Sequence, residues 1–247
     1  RGGPPRSTLT GMGEQRPPRM LFVEDDPVIR KATGDYLARN GFEVVLAEDG
    51  DRGLAAWRET EPVLALLDVM LPGIDGVALC RAIRAESQIP VILLSARSDP
   101  IDVVLGLEAG ADDYVTKPFE PAVLAARLRA ALRRAGSVEE ERQGTVEVGA
   151  LVIDRDGHEV ARDGEALQLT PTEYRLLIEF VDNVGMALDR ATLLERVWGY
   201  GWAGDTRLVD VHVQRLRAKI EADPSTPELV QTVRGVGYKL VRPSEAP

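Results

Sequence analysis

The sequence predicts an α/β fold for the first part of the chain and a smaller domain of strands and helices for the rest. Three observations support this division of the 247 residues. From Met20 to about residue 135, short apolar runs alternate with stretches of helical periodicity. A polar segment follows at 136–144, and beyond it short alternating strands precede three helical patterns. Two domains are therefore expected.

Five strand-and-helix repeats make up the first domain. The strands are the apolar runs MLFV, FEVVLA, VLALLD, PVILLS and DYVT. The helical patterns that follow them cover 27–40, 50–60, 75–87, 99–109 and 120–135. This spacing predicts a doubly wound, five-stranded parallel (βα)5 domain over 19–135. Residues 1–18 are rich in Gly, Pro and Arg, and we expect a disordered lead-in or an expression remnant there.

The second domain begins after GSVEEERQG at 136–144, which has too few apolar residues to pack and is predicted to be a linker. Strands are predicted at TVEV, LVID, HEVARDG and ALQL. A helix then opens with Thr170, Pro171 and Glu173, the residue types of a capping box with proline at the first helical position. The last helix is expected over 205–222, starting at Asp205, and two strands, LVQTV and YKLV, flank RGVG. A strand platform, three helices and a terminal hairpin predict a winged helix-turn-helix over 145–243.

Composition excludes several classes of protein. No run approaches the ~20 apolar residues of a membrane span, and the N-terminus lacks the apolar core of a signal peptide. A cytoplasmic protein with no membrane partner is therefore expected. The single cysteine, Cys80, lies in a helical pattern and is expected to be a buried apolar residue. The net charge of −10 argues against an evenly basic surface but allows one local basic element.

Polar residues fall where the predicted parallel strands end. Glu24 and Asp25 follow the first strand, Asp68 the third, Ser95 the fourth and Lys117 the fifth. The functional crevice of a doubly wound sheet lies at these carboxyl ends. Neighbouring carboxylates raise one another's pKa unless a cation is present, and oxygen ligands suit Mg²⁺. The lysine and the serine hydroxyl are donors for a phosphoryl group, which Asp68 can accept as a nucleophile.

The motifs VEDD, LLDVMLPGIDG, LLSAR and GADDYVTKPF, in this order and spacing, resemble the receiver domain of two-component response regulators over about 20–135. The resemblance implies that a sensor histidine kinase phosphorylates Asp68. It also implies that Mg²⁺ is held by Asp25, Asp68 and the carbonyl of Met70, with Glu24 acting through water.

The same resemblance implies a conformational switch. Ser95 and Lys117 would contact the phosphoryl oxygens, the Lys117–Pro118 peptide would be cis, and Ser95 and Tyr114 would form the switch pair. Drawing the serine hydroxyl inward leaves space into which the tyrosine ring can turn.

Similar receivers dimerise through their fourth helix, fifth strand and fifth helix. The ion pairs that hold those dimers fall here on Asp113 with Arg127 and Asp112 with Arg134. A third pair, Lys with Glu in the family, falls on Val103 and Val123, which cannot form an ion pair. A homodimer favoured by phosphorylation is therefore expected, and its strength is left open.

The last predicted helix combines an apolar stripe with positive charge. Val209, Val213, Leu216 and Ile220 form one stripe that is expected to be buried. The segment 207–219 carries four positive charges against one negative. A recognition helix for the DNA major groove fits this pattern, although a solvated amphipathic helix fits the pattern alone as well.

The motifs LTPTEYRLL, VWGY, VDVHVQRLRAKI and TVRGVGYKL resemble the OmpR/PhoB effector domain over 145–242. The resemblance implies that Arg215 reads base edges, Val211 touches a thymine methyl group and Arg234 enters the minor groove. The residues implied to hold phosphates are Arg207, His212, Arg217 and Thr232. The segment 199–205 lies where relatives contact RNA polymerase, and its Trp202 is either exposed or packed.

These observations together predict a phosphorylation-controlled transcriptional regulator that dimerises and binds promoter DNA, and not an enzyme. The whole chain resembles the MtrA-type regulators of actinobacteria. Two alternatives remain open: a Mg²⁺-dependent phosphohydrolase with Asp68 as its nucleophile, and a DNA-binding protein that works without phosphorylation. The first lacks a second acid at short spacing after Asp68 that could activate water. The linker allows the two domains to pack together or to stay apart.

Overall fold

The computed structural model describes residues 16–96, 100–136, 144–199 and 206–242. Most of the predicted lead-in over 1–18 and most of the linker over 136–144 lie outside the described residues. Asp205, the expected start of the last helix, also lies outside them.

A five-stranded parallel sheet forms the N-terminal domain, so the predicted doubly wound fold is confirmed. The strand order is β2-β1-β3-β4-β5. The strands are β1 (Arg19–Val23), β2 (Glu43–Ala47), β3 (Leu64–Asp68), β4 (Val91–Ser95) and β5 (Asp113–Thr116). The helices are α1 (Pro27–Arg39), α2 (Gly50–Thr60), α3 (Gly76–Glu86), α4 (Pro100–Glu108) and α5 (Pro121–Gly136).

Aspartates begin the first three helices of this domain. The Asp26 carboxylate accepts hydrogen bonds from the backbone N–H groups of Val28 and Ile29, and Asp49 and Asp75 cap α2 and α3 in the same manner. A capping carboxylate satisfies N–H groups that have no partner inside the helix. These caps explain why each helix starts directly after the turn that follows a strand.

Alternate strand residues pack on opposite faces of the sheet. Met20, Phe22 and Leu66 face α1 and α5, whereas Leu21 and Leu67 face α2 and α3. Both sets are buried, as expected for a parallel sheet that is covered on both sides.

The C-terminal domain is the winged helix that the sequence predicts. Its four-stranded platform contains β6 (Thr145–Val148), β7 (Leu151–Asp154), β8 (Glu159–Arg162) and β9 (Glu165–Ala166). The remaining elements are α6 (Pro171–Asp182), β10 (Leu188–Asp189), α7 (Arg190–Trp198), α8 (Arg207–Ile220), β11 (Val230–Val233) and β12 (Gly237–Leu240). The hairpin of β11 and β12 forms a sheet with β10.

Two details differ from the sequence prediction. The fourth predicted strand, ALQL, shrinks to the two residues of β9, and Leu167 instead donates its backbone N–H to the Val160 carbonyl. Strand β10 has no signal in the sequence. A strand of two residues is too short to show an alternating pattern, so its partners alone define it.

The two domains pack against each other in what we call the closed arrangement, in which α8 contacts α4 and α6 contacts α5. The stripe of Val209, Val213, Leu216 and Ile220 is buried, as predicted. Burying each such side chain contributes roughly 1.5–3 kcal/mol to the stability of the fold. Among the helices within the described ranges, none has the length and apolar character needed to span a lipid bilayer.

Candidate functional site

Three carboxylates meet at the carboxyl edge of the parallel sheet. Strands β1 and β3 are neighbours, and Val23 is paired with Leu67, so the residues that follow them reach the same edge. Glu24, Asp25 and Asp68 each offer an oxygen atom, and these atoms lie within 4.8 Å of one another. Glu24 and Asp68 are buried, whereas Asp25 is exposed. Carboxylate oxygens that are open to water on one side fit the preferences of Mg²⁺.

Lys117 lies beside two of these carboxylates. Its Nζ atom is 2.6 Å from Oε2 of Glu24 and 2.8 Å from Oδ2 of Asp68. Burial raises the pKa of Glu24, although the hydrogen bond from Lys117 opposes the shift. Burial acts to lower the pKa of Lys117, but the bonds to Asp68 and Glu24 outweigh it and the net pKa is raised. The pocket therefore holds a protonated amine directly beside the Asp68 carboxylate.

The other predicted pocket residues lie on or just after β3, β4 and β5. Ser95 is buried at the end of β4, and its carbonyl accepts a hydrogen bond of 2.8 Å from the Lys117 backbone N–H. The Lys117–Pro118 peptide is cis, as expected. The backbone N–H of Met70 donates to Oδ1 of Asp68 at 3.3 Å. Tyr114 is half-buried in β5, opposite Leu93 of β4.

Sequence reasoning missed the role of Gly76 in shaping this pocket. A Cβ atom on Gly76 would lie 1.9 Å from the backbone carbonyl oxygen of Asp68, which is too close for any side chain. The first residue of α3 must therefore be glycine for the helix to pass this near Asp68. The signal in the sequence is the final glycine of LPGIDG, which stands directly after the capping Asp75.

Asp112 is engaged by its own domain. Its Oδ2 atom accepts hydrogen bonds from Nη2 of Arg84 at 2.7 Å and from the backbone N–H of Val91 at 2.9 Å. Nε of Arg84 also donates to the Gly110 carbonyl. Arg84 therefore holds the segment between α4 and β5 in place, a role that the sequence analysis did not assign.

The other residues predicted at a dimer interface also have partners within the chain. Asp113 lies 3.7 Å from Arg127, and Nη1 of Arg134 donates to the Trp198 carbonyl of the C-terminal domain. Burial raises the pKa of Asp113 to about 7, opposed by Arg127 and Arg134. Of the two valines, Val103 is buried and Val123 is exposed.

The predicted recognition helix α8 has a second covered face that the sequence analysis did not identify. His212 and Arg215 lie on this covered face, where Arg215 reaches the N-terminal domain, and Val211 is buried on the same helix. Nη1 of Arg215 donates to the Ala111 carbonyl at 2.8 Å, and its Nη2 lies 2.7 Å from Oε1 of Glu173. Its guanidinium therefore holds the end of α4 and the start of α6 together, instead of facing solvent.

His212 is fully buried at the same interface. Its Nδ1 atom lies 2.8 Å from the Leu208 carbonyl, and its ring meets the Trp198 ring edge-on at 5.0 Å between centroids. Burial, together with the nearby charge of Arg215, lowers the pKa of His212 to about 4, so the ring is neutral at pH 7. Trp198 donates from Nε1 to the Asp112 carbonyl at 3.0 Å, which joins the two domains.

The predicted DNA contacts on the wing and elsewhere on α8 differ from the covered face in their exposure and partners. Thr232 and Arg234 are exposed on the β11–β12 hairpin, and Arg207 is half-buried at the start of α8. Arg217 donates to the Val230 carbonyl and to the Thr232 hydroxyl. Of the segment predicted to contact RNA polymerase, residues 200–205, including Trp202, lie outside the described residues.

Comparison with known proteins identifies both halves of the chain. The family model for the response regulator receiver domain matches residues 20–129, and the model for the C-terminal domain of transcriptional regulatory proteins matches 164–240.

Individual relatives extend over nearly the whole chain. The transcriptional regulatory protein CseB of Streptomyces coelicolor is 59% identical over 231 residues, which cover 90% of this chain and 97% of the relative. The DNA-binding response regulator MtrA of Mycolicibacterium smegmatis is 49% identical, covering 91% and 97%. A solved structure of a RitR mutant aligns with a TM-score of 0.70 at 28% identity, covering 90% of this chain and 98% of the other.

Proposed function

This chain belongs to the OmpR/PhoB-type two-component response regulators, and from that premise we propose that phosphorylation of Asp68 releases helix α8 to bind promoter DNA. The chain is a phosphorylation-controlled, DNA-binding transcriptional regulator, and the family implies a sensor kinase and promoter DNA as its partners. Receiver domains bind Mg²⁺ at an acidic site, and this receiver has an acidic cluster.

The acidic pocket supports Asp68 as the phosphorylated residue. An oxygen of its carboxylate attacks the phosphorus atom, forming an O–P bond as the N–P bond to the histidine of the kinase breaks. Glu24, Asp25, Asp68 and the Met70 carbonyl would hold Mg²⁺, which when bound offsets negative charge on the transferred group. Lys117, already 2.8 Å from Asp68, is placed to donate to a phosphoryl oxygen.

The switch would then act through the ends of β4 and β5. Ser95 can donate its hydroxyl to the new phosphoryl oxygens, and Tyr114 can turn into the space that the hydroxyl leaves. The segment between α4 and β5, just before Tyr114, carries the Ala111 and Asp112 carbonyls that accept from Arg215 and Trp198. A movement of this segment would break both hydrogen bonds between the domains.

The observation that carries this proposal is the position of Arg215. The side chain expected to read bases is only 14% exposed and is bonded to the receiver domain. DNA and the receiver therefore compete for the same guanidinium. In the closed arrangement α8 cannot enter a major groove, and its release is the step that phosphorylation would control.

Release of α8 would also uncover the receiver face for dimerisation. Asp112, Asp113, Arg127 and Arg134 would then be able to pair between two copies, with Val103 and Val123 adding an apolar contact. On the DNA, we propose contacts from Arg207, Val211, His212, Arg215, Arg217, Thr232 and Arg234. We also propose that 199–205 contacts RNA polymerase.

The proposed domain boundaries are 19–135 for the receiver and 145–243 for the effector, joined by 136–144. The family is one of transcription regulators, and we propose that the only phosphoryl transfer in the pocket is to and from Asp68. We propose that the protein is cytoplasmic, because it would act on promoter DNA. Catalytic turnover of a small phosphate ester would instead favour the phosphohydrolase alternative.

Labelling and DNA binding together test the proposed function. Treatment with an acyl phosphate donor and Mg²⁺ should add one phosphoryl group to the wild type and to Asp35→Asn, an exposed control. Asp68→Asn should acquire none. Gel-shift titrations should show tighter promoter binding only for the two proteins that are labelled. Retained labelling of Asp68→Asn would refute the site, and equal DNA binding with and without labelling would favour the phosphorylation-independent alternative.

A further inference from the structure

A groove rich in arginine lies between α5 of the receiver and the end of α7 in the effector. Its volume is about 420 Å³, which falls within the range of small-molecule sites. Its charged lining consists of Arg127, Arg129, Arg133, Arg134 and Asp113. Trp198 and Gly199 of the effector complete the wall, so the groove has its full wall only while the two domains are packed together. We call it the arginine groove.

The positive charge of the arginine groove is poorly neutralised. The lining has four guanidinium groups and one carboxylate, Asp113, and the buried Asp112 also attracts Arg134. Asp113 lies 3.7 Å from Arg127. Within the described parts of the chain, neither Arg129 nor Arg133 forms an ion pair, and Arg129 donates only a long hydrogen bond of 3.4 Å to the Asn40 carbonyl. The groove is therefore a site of positive potential that its own residues do not cancel.

Arg134, which lines the groove, also has a buried donor that lacks a partner in the described parts of the chain. Nη1 of Arg134 donates to the Trp198 carbonyl, but its Nε atom is buried without a hydrogen bond. A guanidinium carries only donors, so an acceptor is what would satisfy it. Buried polar groups are paired in most proteins, and an unpaired one marks a place where a ligand or water belongs.

The helix dipole explains only part of this arrangement. Arg133 and Arg134 lie in the last turn of α5, where positive charge is favourable next to the free carbonyls. Arg127 and Arg129 lie earlier in α5, beyond the reach of that effect. The dipole also offers no acceptor to the Nε atom of Arg134.

We propose that the arginine groove binds a small phosphate-bearing anion and that the bound anion holds the receiver and effector domains in the closed arrangement. Arginine forms paired hydrogen bonds with phosphate oxygens, and several guanidiniums in one groove favour an anion of multiple charge. Since both domains form the wall, the anion binds the closed arrangement more tightly than the open one and stabilises it by mass action. The proposal that the anion holds the domains closed rests on the proposed function, in which the closed arrangement does not bind DNA.

Calorimetric titration of the unphosphorylated full chain with inorganic pyrophosphate, without Mg²⁺, tests whether the arginine groove binds a phosphate-bearing anion. The matched variants are Arg133→Gln, in the groove, and Arg81→Gln, an exposed arginine on α3. Binding should weaken about tenfold in Arg133→Gln, since one charged hydrogen bond is lost, and should be unchanged in Arg81→Gln. ATP as a second probe distinguishes the source, because tighter binding of ATP points to a nucleotide and equal binding to an inorganic anion. No binding of either probe, or equal binding by both variants, would overturn the proposal.

A gel-shift titration tests whether the bound anion holds the two domains in the closed arrangement. At a pyrophosphate concentration ten times its Kd, the affinity of the wild type for DNA should fall by up to about tenfold. Arg133→Gln at the same pyrophosphate concentration reports the general effect of salt and should lose much less affinity for DNA. If pyrophosphate binds but the wild type and Arg133→Gln lose DNA affinity equally, only the proposal that the anion holds the domains closed would be overturned. Labelling of Asp68 is measured separately, so a failure there is distinguishable from a failure here.

Discussion

The acidic pocket and the predicted DNA contacts of α8 are both candidate functional surfaces, and the structure presents them in opposite states. In the pocket, Glu24, Asp25 and Asp68 converge within 4.8 Å, with Asp25 open to solvent. On α8, Arg215 and His212 are turned into the receiver domain. One surface converges at a sheet edge with a carboxylate open to solvent, and the other is covered by another domain of the same chain.

The difference shows how the two surfaces divide control. A phosphoryl group and a metal ion are small, so a site for them can be built from the ends of adjacent strands. DNA is large, and the side chains that would read it can be covered by another domain of the same chain. Under the proposed function, chemistry at the pocket would regulate recognition at α8 through the segment between α4 and β5, whose carbonyls accept from Arg215 and Trp198.

The largest effect is expected from removing the exposed carboxylate of the pocket. Asp25→Asn should slow phosphorylation of Asp68 by about 100-fold or more, because a metal ion that contributes several kcal/mol would lose a charged ligand. Phosphoryl incorporation over time, with an acyl phosphate donor and Mg²⁺, measures the rate. Asp35→Asn is the matched control. An unchanged rate in Asp25→Asn would mean that the pocket is not assembled for a metal.

Replacing Arg215 tests whether one side chain serves both DNA and the receiver. Arg215→Ala should cost about 1–3 kcal/mol of discrimination between the correct site and a competitor. It should also loosen the contact between the domains, because the hydrogen bond to Ala111 is lost. Gel-shift competition measures the first effect, and limited proteolysis between the domains the second. Unchanged specificity would remove Arg215 from base reading, and Arg81→Ala serves as the control.

Acid should weaken the covered face through His212. Its pKa is about 4 when buried and 6.5 ordinarily, so unfolded or opened chains bind a proton between these values and the closed chain does not. Above pH 6.5 the proton equilibrium of His212 therefore costs the closed chain no stability. As the pH drops, proton binding favours the unfolded or opened chain, and the closed chain loses roughly 2 kcal/mol of stability at pH 5.

His212→Gln isolates that contribution from the other charged groups at the interface, which are Asp112, Asp113, Arg134, Glu173 and Arg215. Urea unfolding midpoints of the wild type and the variant should be compared at pH 7 and pH 5. The wild type should lose more stability between these pH values than the variant. Equal losses would show that His212 is not buried in solution.

The smallest effect is expected at the start of α6, which supports the Glu173–Arg215 contact. Thr170→Ala removes the hydroxyl that accepts from the Glu173 backbone N–H, and should cost about 1 kcal/mol of unfolding free energy. Thr170→Ser keeps the hydroxyl and should restore most of it. DNA binding should change little, because Arg215 and Lys219 still hold Glu173. A large loss of DNA binding would mean that the cap positions α8.

Much of the fold and of the pocket could be predicted because the signals are local. A carboxylate directly after an apolar strand, such as Asp68, reaches the carboxyl edge of the sheet wherever that strand lies. The stripe of Val209, Val213, Leu216 and Ile220 repeats at helical spacing and is buried. Asp26, an aspartate directly before the proline that begins α1, accepts from the first N–H groups of that helix.

The sequence by itself determined which residues can hold a metal, accept a phosphoryl group or bind DNA, since these properties depend on side-chain chemistry and short spacing. Only the tertiary structure decided which of them are available. Arg215 bonds to the carbonyl of Ala111, more than a hundred residues away, and Asp112 pairs within the chain with Arg84. Backbone carbonyls are the same in every residue, so no sequence pattern marks the ones that a distant arginine will reach.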